Sequence, residues 1–150
     1  MSERRPLNYA SLHDVMPDVD RLLQGHRMGG KWTLGQICSH LSRGLQRTVE
    51  GPPIKAPWLM RVFFGRIAKK HVFRTGSMPE GVKIPALSLV PPDSVDDRAE
   101  AEALRSTIRL FLDAPGPLGK HPLFGALSDE EWRRFHCIHC AHHLSFALPT

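Results

Sequence analysis

The segment that decides the fold reads FHCIHCAHH over residues 135–143. It follows Ser128-Asp129-Glu130-Glu131, a capping box in which a serine precedes a glutamate by three positions, as is typical of a helix N-terminus. On a helix of 3.6 residues per turn, one stripe carries Trp132, His136, His139, His143 and Phe146. The two aromatic residues predict that this stripe faces the interior. We expect the helix to continue towards Leu148 and to end at Pro149.

Imidazoles on an inward stripe need partners, because an unpaired buried polar group costs on the order of 1–3 kcal/mol. A divalent metal ion can satisfy several rings at once, and neutral imidazole is the commonest metal ligand. His139 and His143 are spaced i, i+4, which places their Cβ atoms about 5–6 Å apart on adjacent turns. Rings at this spacing converge on one ion in helical zinc sites built on His-x-x-x-His. The last helix therefore predicts two ligands of a metal site.

A third ligand has to come from another element, since catalytic zinc sites usually have three protein ligands. Thr33-Leu34-Gly35-Gln36 forms a second capping box, and Gly51-Pro52-Pro53 ends the helix that follows. Its apolar residues recur at helical spacing: Leu34, Ile37, Leu41, Leu45 and Val49. His40 lies in the middle of this helix and is the best candidate, although a single such histidine is more often a core or boundary residue.

The remaining polar residues of the last helix leave alternatives open. His136 precedes His139 by one turn and is either a hydrogen-bonding neighbour of a ligand or an alternative ligand. His142 points away from the stripe and is interpreted as a surface or interface residue. Cys137 and Cys140 form a Cys-x-x-Cys, but zinc-finger spacing needs a second ligand pair that Cys38 alone does not supply. We interpret both cysteines as small buried residues, with Cys140 as a further ligand candidate.

Three more helical stretches complete an all-α prediction. They cover residues 11–24, residues 58–72, and a stretch from Ser94 to the Pro115-Gly116-Pro117 stop, with Asp96 and Asp97 in its first turn. Pro17 predicts either a kink in the first of these or a later start. The proline-punctuated residues 75–92 are expected to cross the protein as a long connection, and convincing strand signals are absent.

Composition limits the class of protein. The 150 residues are 41% apolar and 23% charged, which is ordinary for one globular domain over residues 1–150. No apolar run approaches the roughly 20 residues needed to span a bilayer, and no apolar stretch follows the charged N-terminus as in a signal peptide. We therefore expect no membrane association. The three cysteines lack the spacing of a disulfide framework, so we also expect a reducing, cytoplasmic location.

The net charge of +5 raises the question of nucleic-acid binding. The basic residues are dispersed, and only residues 61–74 combine them with aromatic residues. A solvated helix face beside a core stripe explains that segment better, so nucleic acid is not the expected partner.

Four stretches together resemble the DinB-like (YfiT-like) metalloprotein superfamily. They read GKWTLGQICSHL over residues 30–41, HPLFGALS over 121–128, EW over 131–132 and HCAHHL over 139–144. In this order they most resemble a branch of the superfamily known only as a domain of unknown function. The resemblance covers the chain from the first helix to Leu148.

The resemblance implies an antiparallel four-helix bundle with a long crossover connection, frequently dimeric. It also implies one divalent ion, zinc or nickel among others, bound by His40, His139 and His143. Relatives include transferases that attach low-molecular-weight thiols to electrophiles, and some isomerases or hydrolases. This chain departs from them after the last histidine, where they often carry a glutamine and this sequence has Ser145-Phe146-Ala147.

Two functions follow as hypotheses. In the first, the metal activates a thiol or water for an electrophilic small molecule, with His136 orienting a ligand or moving a proton. Neither histidine motif contains an obvious carboxylate, which weakens a hydrolase with a glutamate base and favours thiol transfer. In the second, the metal only ties two helices together in a non-catalytic module, and the aromatic and basic residues 58–73 contact a partner or form a homodimer. Imidazole ligands do not distinguish zinc, nickel, copper and iron.

Overall fold

The computed structural model describes residues 2–51, 56–79 and 89–150, and it is mostly helical over these ranges. The helices are α1 (Val15–Leu22, preceded by a 3-10 turn, Leu12–Asp14), α2 (Leu34–Glu50), α3, α4 (Asp97–Asp113) and α5 (Asp129–Leu144). Helix α3 has three contiguous pieces, which are Trp58–Met60, a π-helical turn Arg61–Gly65, and Arg66–Thr75. Two short strands, β1 (His26–Met28) and β2 (Ala147–Pro149), form an antiparallel pair.

Both predicted capping boxes are confirmed, and they fix where the two histidine-bearing helices begin. At the start of α2, the Gln36 backbone N–H donates to Thr33 Oγ1 at 3.1 Å, and the Thr33 N–H donates to Gln36 Oε1 at 2.9 Å. At the start of α5, Ser128 and Glu131 make the same reciprocal pair. Each box satisfies backbone donors that the first turn of a helix leaves without partners. The register of both helices is therefore set from their N-termini.

The core is built where α2 packs along α4, with α1 and α5 completing it. The predicted apolar stripe of α2 is buried at Leu34, Ile37, Leu41 and Leu45. Burying one such side chain contributes about 1.5–3 kcal/mol relative to leaving it exposed. This stripe faces the core. His40 lies at the edge of the stripe, so its side chain is only partly buried.

The strand pair and the end of α5 correct the sequence-based expectations. Residues 26–28 pair with residues 147–149, so the expectation that strands are absent was wrong. Three-residue strands are too short to show an alternating pattern. Helix α5 ends at Leu144, and Phe146 lies beyond it rather than on the helical stripe. The Phe146 ring instead packs over Gly30, where a Cβ would lie 3.3 Å from Phe146 Cδ1, and under the Arg4 guanidinium.

The other helix boundaries differ only slightly from prediction. Pro17 lies in the first turn of α1, where its missing N–H is not needed, so the α-helix begins later than residue 11. Helix α3 extends to Thr75 and ends at Gly76, whose φ of 64° is the left-handed conformation that favours glycine. Half of the expected long connection, residues 80–88, lies outside the described residues. No helix within the described ranges is long and apolar enough to cross a membrane.

Candidate metal centre

The three predicted histidine ligands come together between α2 and α5. One ring nitrogen from each of His40, His139 and His143 lies within 4.8 Å of the other two. The ring centroids of His40 and His143 are 4.4 Å apart, and those of His139 and His143 are 4.9 Å apart. His40 comes from α2 and the other two rings from successive turns of α5. The structure therefore contains a three-histidine cluster that can hold a metal ion.

The closest approach in the cluster suits a shared ion. His40 Nε2 and His139 Nε2 are 3.1 Å apart. With zinc–nitrogen bonds of about 2.0–2.1 Å, two nitrogens are about 3.3 Å apart around a tetrahedral ion and about 2.9 Å apart around an octahedral one. The observed separation lies between these values, so the two helices already hold the nitrogens at ligand spacing.

The His40 ring is oriented by a backbone carbonyl. Its Nδ1 lies 2.8 Å from the Leu89 oxygen, to which only an N–H can donate. Neutral His40 therefore carries its proton on Nδ1 and directs the Nε2 lone pair at His139. Metal-binding histidines almost always donate their second ring N–H in this way, which fixes the tautomer.

Trp32 packs against two of the three rings. Its ring stacks on His143 with centroids 5.6 Å apart and an interplanar angle of 15°, and its centroid lies 5.1 Å from that of His40. Trp32 immediately precedes the N-cap Thr33, so the capping box that starts α2 also positions this ring. Sequence reasoning included Trp32 in the resemblance motif but gave it no role.

The cluster is electrically neutral at physiological pH. Burial lowers the pKa of His40, and it lowers the pKa of His143 to about 2. The pKa of His139 is well below its ordinary value, first because of burial and then because of the neighbouring His143 and His40. Metal binding requires deprotonated imidazole, so all three rings are in the form that binds an ion.

His136 is adjacent to the cluster but is not a member of it. Its Nε2 lies 2.9 Å from Thr48 Oγ1, and the Thr48 hydroxyl donates to the Gly44 carbonyl oxygen, so His136 Nε2–H is the donor to Thr48. Burial lowers the pKa of His136 to about 3, and its ring stacks on Trp132. His136 thus links α5 to α2 through Thr48 and makes no hydrogen bond to the three clustered rings within the described part of the chain.

All three cysteines are free and buried, as expected of small core residues. Burial raises the pKa of Cys38 to about 12 and that of Cys137 to about 11, and it also raises the pKa of Cys140. The cluster does not include Cys140, the further ligand candidate. Protonated, buried thiols are poor nucleophiles and poor ligands.

A pocket of about 160 Å³ opens beside His40 and His139. Its lining includes Gly44, Arg47, Lys120 and Trp132. Sequence reasoning missed both cations. Arg47 follows His40 by seven residues on the same helix, a spacing that returns to the same face and was a usable signal. Lys120 lies in a loop, and nothing in the local sequence places it near α2.

The fold and this cluster define a mostly helical protein with a partly buried three-histidine site that can hold a metal ion. The chain belongs to the family described as Protein of unknown function (DUF1569), whose model matches residues 1–150. The expected membership of a domain of unknown function is thereby confirmed. No curated protein and no solved structure matches the chain. Function has to be argued from the site.

Proposed function

We propose that this protein is a divalent-metal-dependent enzyme of the DinB-like superfamily, with the antiparallel four-helix bundle and long crossover of that group. In this proposal His40, His139 and His143 bind one zinc or nickel ion. The single observation that carries it is the pair of Nε2 atoms of His40 and His139, 3.1 Å apart, with His40 Nδ1 on the Leu89 carbonyl. This arrangement aims a lone pair, rather than an N–H, into the cluster.

A hydrogen bond between His40 and His139 is the alternative account of the 3.1 Å separation. It requires His139 to carry its proton on Nε2 and gives the nearby nitrogen of His143 no role. Three neutral imidazoles carry three N–H groups and three lone pairs, and the His40 N–H already donates to the Leu89 carbonyl, so two N–H groups remain for three lone pairs. A buried nitrogen without a partner costs on the order of 1–3 kcal/mol. A cation satisfies all three lone pairs at once, which supports the metal proposal.

The surroundings of the cluster favour thiol transfer over hydrolysis. A divalent ion on three histidines keeps open positions, where it lowers the pKa of a bound thiol or water. No described residue lining the pocket is acidic, so the pocket offers no carboxylate to act as a general base. The low pKa of His136 makes it a poor proton acceptor. Its hydrogen bond to Thr48 instead gives it the role of positioning α5 against α2. A thiolate needs no general base, because it is itself the nucleophile.

We therefore propose a low-molecular-weight thiol and an electrophilic small molecule as substrates. The test uses zinc-loaded or nickel-loaded protein with cysteine, glutathione or coenzyme A, and with 1-chloro-2,4-dinitrobenzene as the electrophile. Substitution forms a thioether bond and releases chloride and the thiol proton, which ultraviolet absorbance follows. We expect metal-dependent turnover that is lost in His40→Ala. Metal-loaded protein that never exceeds the uncatalysed rate would favour the non-catalytic alternative.

A specific observation favours an interaction role for α3. Five large apolar side chains on it are 60–70% exposed, namely Trp58, Leu59, Phe63, Phe64 and Ile67. Together these five apolar side chains expose an area on the order of 600 Å², a large part of the roughly 800 Å² per partner in a standard interface. We propose that a second copy of the chain covers this patch in a homodimer. In the non-catalytic alternative, the metal only holds α2 against α5, and α3 forms this interface.

The three buried thiols also support a reducing compartment. We propose that the protein works in the cytoplasm.

A further inference from the structure

The described residues give the pocket beside the cluster an excess of positive charge. Arg47 and Lys120 both line it, and no described lining residue is acidic. Within the described ranges, neither cation has an ion-pair partner, whereas Arg5, Arg27, Lys69 and Arg105 all do. A cation in the last turn of α2 also complements the helix dipole, which accounts for Arg47 alone. It does not account for a second unpaired cation on the same pocket.

Lys120 is held beside α2 by its neighbour Gly119. The Gly119 N–H donates to the Thr48 carbonyl at 2.9 Å, and Trp132 Nε1–H donates to the Gly119 carbonyl at 3.0 Å. A Cβ on Gly119 would lie 2.9 Å from Gly51 Cα, so only glycine permits this approach. The loop is thus fixed against the end of α2, and this holds the Lys120 backbone beside the pocket that its exposed side chain lines.

A buried donor in the pocket also lacks a partner. With His139 Nε2 directed at His40, the proton of the metal-bound form lies on Nδ1. His139 is 9% exposed, and its Nδ1 has no hydrogen-bond partner among the described residues. A Cβ built on Gly44, which lines the pocket, would lie 3.8 Å from this atom, so the nitrogen lies close to that part of the pocket wall. An acceptor on a ligand would complete the usual second hydrogen bond of a metal-binding histidine.

We propose that this pocket binds a small organic anion, with its carboxylate or phosphate group on Arg47 and Lys120 and an acceptor atom on His139 Nδ1–H. The body of the ligand lies against Trp132 and Phe135, which also line the pocket. The volume of about 160 Å³ is close to that of an apolar cavity that holds one benzene molecule, so the body is about one ring in size. The inference rests on the proposed function, because it names the substrate class of the same site.

The test is calorimetric titration of wild-type protein, incubated with zinc beforehand, with benzoate, phenyl phosphate and the neutral benzamide. Arg47→Met and Lys120→Met remove the charges while keeping the apolar stems. Arg109→Met removes an exposed cation of α4 that does not line the pocket and is the matched control. We expect benzoate or phenyl phosphate to bind at least tenfold more tightly than benzamide. We expect each pocket variant to weaken anion binding about tenfold, since charge-assisted hydrogen bonds are the strong ones, and Arg47→Lys to retain most of it.

The outcomes separate this inference from the proposed function, because metal content is measured on the same samples. Protein that holds metal but binds neither anion, or binds benzamide equally well, overturns the inference and leaves the metal site standing. Equal weakening in Arg109→Met also overturns it, since the effect is then one of net charge. Protein that never holds metal but binds the anion through Arg47 and Lys120 supports the pocket and overturns the metal proposal. The comparison of the affinities for benzoate and for phenyl phosphate identifies which anionic group the pocket prefers.

Discussion

Replacing Gly44 by alanine should stabilise the protein and damage the pocket at the same time. Glycine inside a helix costs about 0.8–1.0 kcal/mol relative to alanine, and Gly44 lies within α2. The added Cβ would lie 3.5 Å from His139 Cε1, 3.8 Å from its Nδ1 and 3.9 Å from Leu89 Cδ1. These are ordinary van der Waals contacts, so no strain offsets the gain. We expect the free energy of unfolding to rise by about 1 kcal/mol, or about 2–4 °C in Tm.

The same methyl group enters the pocket close to His139 Nδ1, so we expect benzoate affinity to fall while one metal ion is still bound. Urea unfolding of metal-free protein and calorimetric titration of metal-loaded protein measure the two effects separately. Gly35→Ala, on the same helix, is the contrasting control. Its Cβ would lie 2.8 Å from Asp97 Oδ1, so that variant should lose stability. A destabilised Gly44→Ala, or one that binds benzoate as wild type does, would refute this reasoning.

Three further predictions concern the rings and the exposed patch. Trp32→Ala should weaken zinc affinity about 10–100-fold in a chelator competition, because Trp32 packs on His40 and His143, whereas Trp32→Phe should keep most of it. Burial lowers the pKa of His121 to about 3, so the unfolded chain binds a proton below about pH 6.5 that the folded chain does not. The stabilisation from this residue is complete above that pH and is lost as pH falls towards 3, by about 1.4 kcal/mol per pH unit. Urea midpoints across this range should depend less on pH in His121→Asn, and an unchanged slope would contradict the assignment. Phe63→Glu should shift sedimentation from dimer to monomer while Arg109→Met does not, and a wild-type monomer at all concentrations would contradict the proposed homodimer.

Local signals in the sequence predicted most of the elements that carry the site. The capping boxes at Thr33 and Ser128 are contiguous, and so is the i, i+4 spacing of His139 and His143. Hydrogen bonds between near neighbours decide such features, which is why they can be read before any tertiary structure is known. The choice of His40 as the third ligand needed one further step, because it rested on a single histidine beside the apolar stripe of a different helix.

The missed features depend on contacts between distant parts of the chain. The Leu89 carbonyl lies 49 residues from His40, and no pattern in residues 89–92 predicts that hydrogen bond. The pairing of residues 26–28 with 147–149 is equally remote, and it ends α5 before Phe146 can join the helical stripe. Lys120 joins the pocket only because Gly119 approaches the backbone of α2. Such placements follow from packing, which periodicity does not encode.

The metal content of the purified, untagged protein tests the central claim most directly. It should be measured by atomic emission for wild type, His40→Ala and His139→Ala, with the exposed His71→Ala as the matched control. The three-histidine site predicts about one equivalent of a divalent ion in wild type and His71→Ala, and its loss in both cluster variants. A stably folded wild type that contains no metal, and takes up neither zinc nor nickel when they are added, would contradict the claim and make the three histidines core residues.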